Sequence, residues 1–414
     1  MNLRKSCAFL TIALGLWLIA IPVTLGYLSL AMELSDRISG ILLILLGWLS
    51  LNEKRIFASW SIAFVGLWLQ LAPLVFWAPD ALMYLNDTLV GVIALIFSFL
   101  LNKKISVDGI DEPLGWSLNP SSWSHRVPTV GLALLAWFFS RYMAAFQLGY
   151  INTIVDPVFP EGTLRVITST ISKAFPVSDA GLGSVCYTLE FILGWQGGSR
   201  RWLRMPWLAT AFGLLVIPVG VVSIILIISQ PVIVGAWCFW CLATAVCMLV
   251  MIVLTAPELV AVYQLLSQAK KRGYPLWPLF WKGTDLKEFT QPKKQQEKGG
   301  WSLPASLAGC VILGVWLIIS PSYLNAYGTI ASASYIVGPL IVATSIIACS
   351  EVFRAGRFLH ILFGLILIFT ASFTEEAFAL ERVNALVVGG LVVLLSWPRG
   401  KVLGQYGQWQ RWIF

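Results

Sequence analysis

Hydrophobic runs of about 14 to 25 residues, broken by short polar stretches, recur along the whole 414-residue chain and limit what it can fold into more than any motif does. Twelve are read, at 8–28, 38–51, 58–78, 88–101, 129–150, 179–196, 206–229, 234–258, 303–323, 334–351, 358–374 and 384–397. An α-helix of about 20 residues crosses the ~30 Å hydrocarbon layer of a bilayer. The second, fourth and twelfth runs fall short of that and must tilt, extend into the interface or thin the bilayer. Within lipid every backbone N–H and C=O needs an internal partner, so runs of this length span as helices. Composition agrees: 58% of the residues are hydrophobic and only 12% charged, with mean hydropathy +0.81. A soluble domain carries about a quarter charged residues and could not bury this much apolar surface. The expectation is an all-α, polytopic transmembrane protein of about 12 helices in contact with membrane lipid.

The net charge of +8 would suit a nucleic-acid surface if the basic residues clustered on one face. They instead alternate sides. With the N-terminus, Arg4 and Lys5 in the cytoplasm, the cytoplasmic set holds Lys54, Arg55, Lys103, Lys104, Arg126, Arg200, Arg201, Arg204, eight residues of 267–300, Arg354, Arg357, Arg399, Lys401 and Arg411. That is 23 of the 28 basic residues. Arg37, Arg165, Lys173 and Arg382 fall outside, and Arg141 within the membrane. Basic residues concentrate on the cytoplasmic side of membrane proteins, so both termini are expected there and no nucleic acid is expected as a partner. The first run lacks a small-residue cleavage site and its motif recurs later, so it reads as a retained helix.

Repeats organise both ends of the chain. Gly15-Leu16-Trp17-Leu18 precedes Pro22, Asp36 and Gly40; Gly66-Leu67-Trp68-Leu69 precedes Pro73, Asp87 and Gly91. Gly314-Val315-Trp316-Leu317 precedes Pro321 and Gly338, and Gly364-Leu365-Ile366-Leu367 precedes Ala371, Asn384, Ala385 and Gly389. Each unit reads as a helical hairpin whose glycines let two helices approach closely and whose proline finishes or kinks the first helix. The units resemble the SPW repeat, a two-helix membrane module; Ser320-Pro321 matches the first two letters of its motif. The resemblance implies two such hairpins in 1–104 and two in 301–414, and packing around a central unit rather than chemistry.

Between them, after a cytoplasmic linker at 105–128 and before another at 267–300, residues 129–266 read as a four-helix unit. Its chemistry centres on Trp237-Cys238-Phe239-Trp240-Cys241 at the start of a helix. A spacing of three puts both sulfurs on one helical face, and a helix N-terminus favours the thiolate, the reactive form. A structural zinc site needs four ligands; there is no second CxxC, and His125 and His360 are expected on the opposite side, so no metal is expected. Two inert buried cysteines remain an alternative, and Cys7, Cys186, Cys247, Cys310 and Cys349 read as apolar fillers.

Residues 129–266 resemble the vitamin K epoxide reductase family in their four-helix spacing, long first outer loop, Ser178-Asp179-Ala180-Gly181-Leu182-Gly183 followed by Tyr187, and Leu242-Ala243-Thr244-Ala245 after the cysteines. The resemblance implies a four-helix bundle with catalytic Cys238 and Cys241 near the extracytoplasmic face. It also implies a quinone of ubiquinone or menaquinone type as electron acceptor and an extracytoplasmic thioredoxin-like thiol protein as partner. Ser178 or Asp179 would hydrogen-bond a quinone carbonyl, and Trp237, Phe239 and Trp240 would form an apolar pocket for its ring. The partner is expected to attack Cys238, the sulfur nearer the surface, with Cys241 one turn deeper. One departure stands out: the loop at 151–178 lacks the second cysteine pair that the family uses as a relay.

Leu164, Ile167, Ile171 and Phe175 recur at helical spacing and predict an amphipathic helix lying on the membrane. Arg141 and Glu190 come out at similar depth on their helices, which predicts a mutual ion pair, since an unpaired charge in the membrane is costly. Two functional classes follow: a membrane thiol–disulfide oxidoreductase coupled to quinone, favoured by the CxxC at a helix start and the polar patch at 178–183, and a non-catalytic membrane scaffold or sensor, favoured by the missing loop cysteines. A transporter is disfavoured by the lack of a polar or broken-helix site at the midplane.

Overall fold

The computed structural model describes residues 3–52, 55–101, 111–292, 299–324, 326–374 and 379–413. Lys54, Lys103, Lys104 and parts of both expected linkers, 105–110 and 293–298, lie outside the described residues. The fold is all-α, with ten helices among the described residues long and apolar enough to cross a membrane, as an integral multi-pass protein requires.

The chain forms two compact units. The first takes the residues up to 107 and 136–192. It begins with four long helices, α1 (Leu3–Leu25), α2 (Leu30–Ser50), α3 (Ile56–Val75) and α4 (Ala81–Leu101). Both α2 and α4 start well before the hydrophobic runs at 38–51 and 88–101. Their first two turns carry Glu33, Asp36, Asn86 and Asp87, which hide the helix start from a hydropathy reading while Asp36 and Asp87 are turned inward and fully buried. Ser29 caps α2, its side chain accepting the Met32 N–H at 3.4 Å. The short runs are thus 21-residue helices and need no thinned bilayer. Of the twelve expected spans, α2 and a later helix, α7, are missing from the ten. Glu33, Asp36 and Arg37 make α2 too charged, and α7 has only 17 residues.

The repeat spacing has a direct structural meaning. A Cβ on Gly15 would stand 2.5 Å from Gly40 O and one on Gly40 2.6 Å from Gly15 O; Gly66 and Gly91 face each other in the same way, at 2.9 and 2.7 Å. Only glycine permits such backbone contact between two helices. Pro22 and Pro73 lie in the last turns of α1 and α3, and their carbonyls accept the N–H of Tyr27 at 3.0 Å and of Ala78 at 2.9 Å. The prolines therefore mark where each hairpin turns. The rest of this unit comprises the end of α5 (Trp123–Gln147), the six-residue α6 (Gly162–Ile167) and most of α7 (Asp179–Trp195). The expected amphipathic helix through Phe175 stops after Ile167. Ser172 Oγ bonds Ile167 O at 3.0 Å and Asp179 Oδ1 at 2.9 Å, which folds the segment back on itself.

The second unit takes 108–135 and 193–414. It contains α8 (Arg201–Arg204), α9 (Pro206–Ser229), α10 (Phe239–Lys271) and α11 (Leu276–Lys282). Two hairpins follow, α12 (Ala305–Tyr323) with α13 (Gly328–Cys349) and α14 (Leu359–Phe373) with α15 (Ala379–Ser396). Here Gly314 faces Gly338 and Gly364 faces Gly389, with Cβ-to-carbonyl distances of 2.6–3.0 Å, and Pro321 O accepts the Ala326 N–H at 2.8 Å. The twelfth run, too, is longer than hydropathy suggests, because the buried Glu381 lies in the first turn of α15. Helix α13 packs on α9 and α10.

The described parts of the stretches read as linkers are packed structure. A strand β1 (Asp111–Pro113) pairs antiparallel with β2 (Thr290–Pro292). Trp116 is fully buried, donates to Gln264 Oε1 of α10 at 3.0 Å and meets Tyr406 edge-on at 5.0 Å. Tyr406 donates to Glu351 at 2.6 Å; burial and that carboxylate push its phenol pKa up. Beside this core, Arg201 and Glu258 form an ion pair wholly removed from water, and Ser121 donates to Glu258 at 2.5 Å. Arg126 donates to the carbonyls of Gly194, Gln196 and Gly197 at 2.7–3.1 Å. Charge that reads as a topology signal is here also a set of fully engaged hydrogen-bond donors, as buried charge requires.

Candidate functional site

Among the described residues, Cys238 and Cys241 form the one disulfide, with Cα atoms 5.3 Å apart. The other five cysteines are free, and Cys186 and Cys247 lie on α7 and α10. Helix α10 begins at Phe239, so Cys238 is its N-cap: an extended residue (φ −114°, ψ 114°) whose sulfur accepts the Cys241 N–H at 3.1 Å. A sulfur in this place takes one of the helix's unpaired N–H groups and lies at the positive end of its dipole, which favours a thiolate.

The two sulfurs differ in access. Cys238 is 0% exposed, whereas Cys241 is half-buried. Cys238, expected as the sulfur nearer the outer surface, is thus the residue enclosed by protein. The physical reason is the cap itself: the chain enters α10 from a tight turn that folds over Cys238. That turn is π-helical over Gln230–Val234 and ends in Gly235 at φ 66°, a left-handed conformation that glycine adopts without strain. Gln230 is almost fully buried, and its side-chain Oε1 accepts the Cys238 backbone N–H at 3.0 Å. Sequence reasoning missed Gln230. Its signal was present, a single amide in the run from Ile224 to Trp237, otherwise apolar but for Ser229.

The aromatic residues around the pair are half-buried. The rings of Phe239 and Trp240 meet edge to face at 5.1 Å, and Trp237 meets Tyr335 of α13 at 6.1 Å.

Ser178 and Asp179, in the first unit, form a second group at the start of α7. Ser178 Oγ accepts the Gly181 N–H at 2.9 Å, capping the helix, and donates to Gln147 Oε1 at 2.5 Å. Asp179 Oδ1 accepts from Gln147 Nε2 at 2.6 Å and from Ser172 at 2.9 Å. The hydroxyl proton of Ser178 is therefore committed to Gln147, the partner that sequence reasoning missed. A carbonyl ligand at this group would have to share the donors of Gln147 and Ser178.

The expected Arg141–Glu190 ion pair does not form. Arg141 donates to Thr88 Oγ1 at 3.1 Å and lies over the rings of Tyr84 and Trp137, 4.3 and 5.1 Å from their centroids. Hydroxyl and π faces take the place of a carboxylate. Glu190 is fully buried, and neither carboxyl oxygen has a hydrogen-bond partner among the described residues.

Comparison with curated proteins and with solved structures returns no match. Two family models do match. The SPW repeat domain matches residues 5–101, the stretch of the first two glycine-framed hairpins. Residues 127–256, which hold both groups of site residues, match the Vitamin K epoxide reductase family, and that match supports a membrane thiol–disulfide oxidoreductase as the kind of activity.

Proposed function

We propose that the protein is an oxidoreductase that makes disulfides in extracytoplasmic proteins and passes the electrons to a membrane quinone through Cys238 and Cys241. The observation that carries this reading is the disulfide at the N-terminus of α10, with one sulfur enclosed and one within reach.

The accessibility difference sets the order of steps. The thiolate of a reduced, thioredoxin-like partner attacks Cys241, the half-buried sulfur. The Cys241–Cys238 bond breaks as the mixed disulfide forms, and exchange depends on how well the leaving thiolate is stabilised. Cys238 leaves as that thiolate, held by the Cys241 N–H at 3.1 Å and by the helix dipole. The second thiol of the partner then resolves the mixed disulfide, leaving the partner oxidised and Cys238 and Cys241 reduced. A quinone bound beside the pair would supply the acceptor, dithiol plus quinone giving disulfide plus quinol. Trp237, Phe239 and Trp240 would hold its ring; for Ser178 or Asp179 the resemblance to the family implies a hydrogen bond to a quinone carbonyl. No relay cysteine is needed in 151–178 if the partner meets Cys241 directly.

Alanine at either Cys238 or Cys241 is expected to abolish disulfide formation in a host that depends on this protein. A partner whose second thiol is changed to serine should instead accumulate on Cys241 of the unaltered chain as a mixed disulfide, because nothing then resolves it onward. Unchanged disulfide formation in both alanine variants would contradict the reading and favour the alternative, a non-catalytic scaffold or sensor, which the absence of cysteine from 151–178 supports.

A further inference from the structure

We infer that Tyr335, on the C-terminal hairpin α12–α13 and outside the stretch matched by the Vitamin K epoxide reductase family, is a positioning residue for the Cys238–Cys241 pair. The inference rests on the reading above that this pair is the reaction centre.

The segment 230–238 has to hold Cys238 at one backbone angle, because the Cys238 sulfur caps α10 only in that geometry. It is held from two sides. From within, Gln230 bonds the Cys238 N–H at 3.0 Å, and Gln230 O accepts the Ala236 N–H at 3.3 Å. From α13, the Tyr335 ring meets the Trp237 indole at 6.1 Å, the planes inclined at 68°. Edge-to-face contact of this kind fixes ring orientation as well as distance.

Tyr335 is itself braced. Its hydroxyl and Ser322 Oγ in the last turn of α12 are 3.0 Å apart. One turn along α13, Gly338 lies against Gly314 of α12, with 2.9 Å from its Cβ position to Gly314 O. The repeat glycines thus set where Tyr335 stands, Tyr335 sets Trp237, and Trp237 adjoins the peptide that orients Cys238. Release of Trp237 lets that peptide turn and weakens the 3.1 Å contact between the Cys241 N–H and the Cys238 sulfur. Weaker support of the thiolate shifts the dithiol–disulfide equilibrium. The C-terminal repeat, on this account, tunes the chemistry of a centre to which it contributes no reacting atom.

The test is a redox titration of the full chain in lipid nanodiscs. Protein is equilibrated across ratios of reduced to oxidised dithiothreitol, and the state of Cys238 and Cys241 is read by mass-tag alkylation. Tyr335→Ala is expected to move the equilibrium by about 3- to 10-fold, about 15–30 mV for a two-electron couple. Tyr335→Phe keeps the ring and should titrate as wild type. Tyr335→Leu, close in bulk but without a ring, should shift as alanine does and decides the matter if the alanine variant fails to fold. Wild-type midpoints for the folded alanine and leucine variants overturn the inference, as does a phenylalanine variant that shifts as far as alanine. A wild-type pair that never opens at any ratio overturns the reading of the centre itself, and this inference with it.

Discussion

The first and last pairs of hairpins are built on one frame and filled differently. In α1–α4 and in α12–α15 the same glycines bring helix backbones into contact. In each set a tryptophan of one hairpin donates to an asparagine of the next, Trp17 to Asn86 and Trp316 to Asn384, both at 2.8 Å. Four residues before the second glycine of each hairpin the sets diverge. The first places Asp36 and Asp87 there, fully buried, with Tyr27 donating to Asp36 at 2.8 Å and Asn86 donating to Asp87 at 3.3 Å. The last places Ser334 and Ala385 there, and Ala385 packs with Ile330 and Ala371. Because the apolar set closes on the same glycines, the carboxyl pair is an addition that the frame does not require.

The sharpest way to break this comparison is to move the charge. Ala385→Asp puts a second carboxyl into the last set, one turn from the buried Glu381, and should cost about 2.5–3.5 kcal/mol. Adding Ser334→Asp rebuilds the two acids of the first set and should recover part of that loss, because a proton shared between two acids leaves one buried charge where there would be two. Denaturation of the purified chain in mixed micelles reads both effects, and a double variant less stable than the single one contradicts the shared-proton account. The frame comes next. Gly40→Ala and Gly389→Ala should each cost about 1–3 kcal/mol through overpacking, whereas Gly390→Ala, with open space around its Cβ position, should be close to neutral. Equal stability of all three in the same assay would remove the glycine contact from the explanation. Asp87→Asn keeps a hydrogen-bonding group beside Asp36 and is expected to cost under about 1 kcal/mol. The smallest effect is that of Trp17→Phe and Trp316→Phe, about 0.5–1 kcal/mol each; a large difference between the two would show that the sets are less alike than their geometry suggests.

What could be read from the sequence follows from what the chain fixes locally. Glycine and proline spacing along one helix determines where its partner touches and where the hairpin turns, so the repeats were legible. The CxxC was legible for the same reason, since three residues set the sulfurs on one face. Equal depth along their helices was the basis for pairing Arg141 with Glu190, but the direction each side chain faces depends on neighbouring helices far away in sequence, and the ion pair failed on that point. The enclosure of Cys238, the bond from Gln230 and the Tyr335 contact are likewise set by chain folding back from 8 or more residues away. Polar residues in the first two turns of α2, α4 and α15 misled in the opposite direction: buried polar residues between helices resemble loop in a hydropathy profile.

The central claim is that Cys238 and Cys241 pass electrons between a dithiol and a quinone. The most direct measurement follows their redox state in the purified chain by mass-tag alkylation, before and after a dithiol, and then with and without added quinone. The account predicts a pair that is opened by the dithiol and closed again by quinone, with Cys241 the first sulfur to react. Two cysteines that stay in one state whatever is added would contradict it and leave a membrane protein that keeps this helix-start pair for its shape alone.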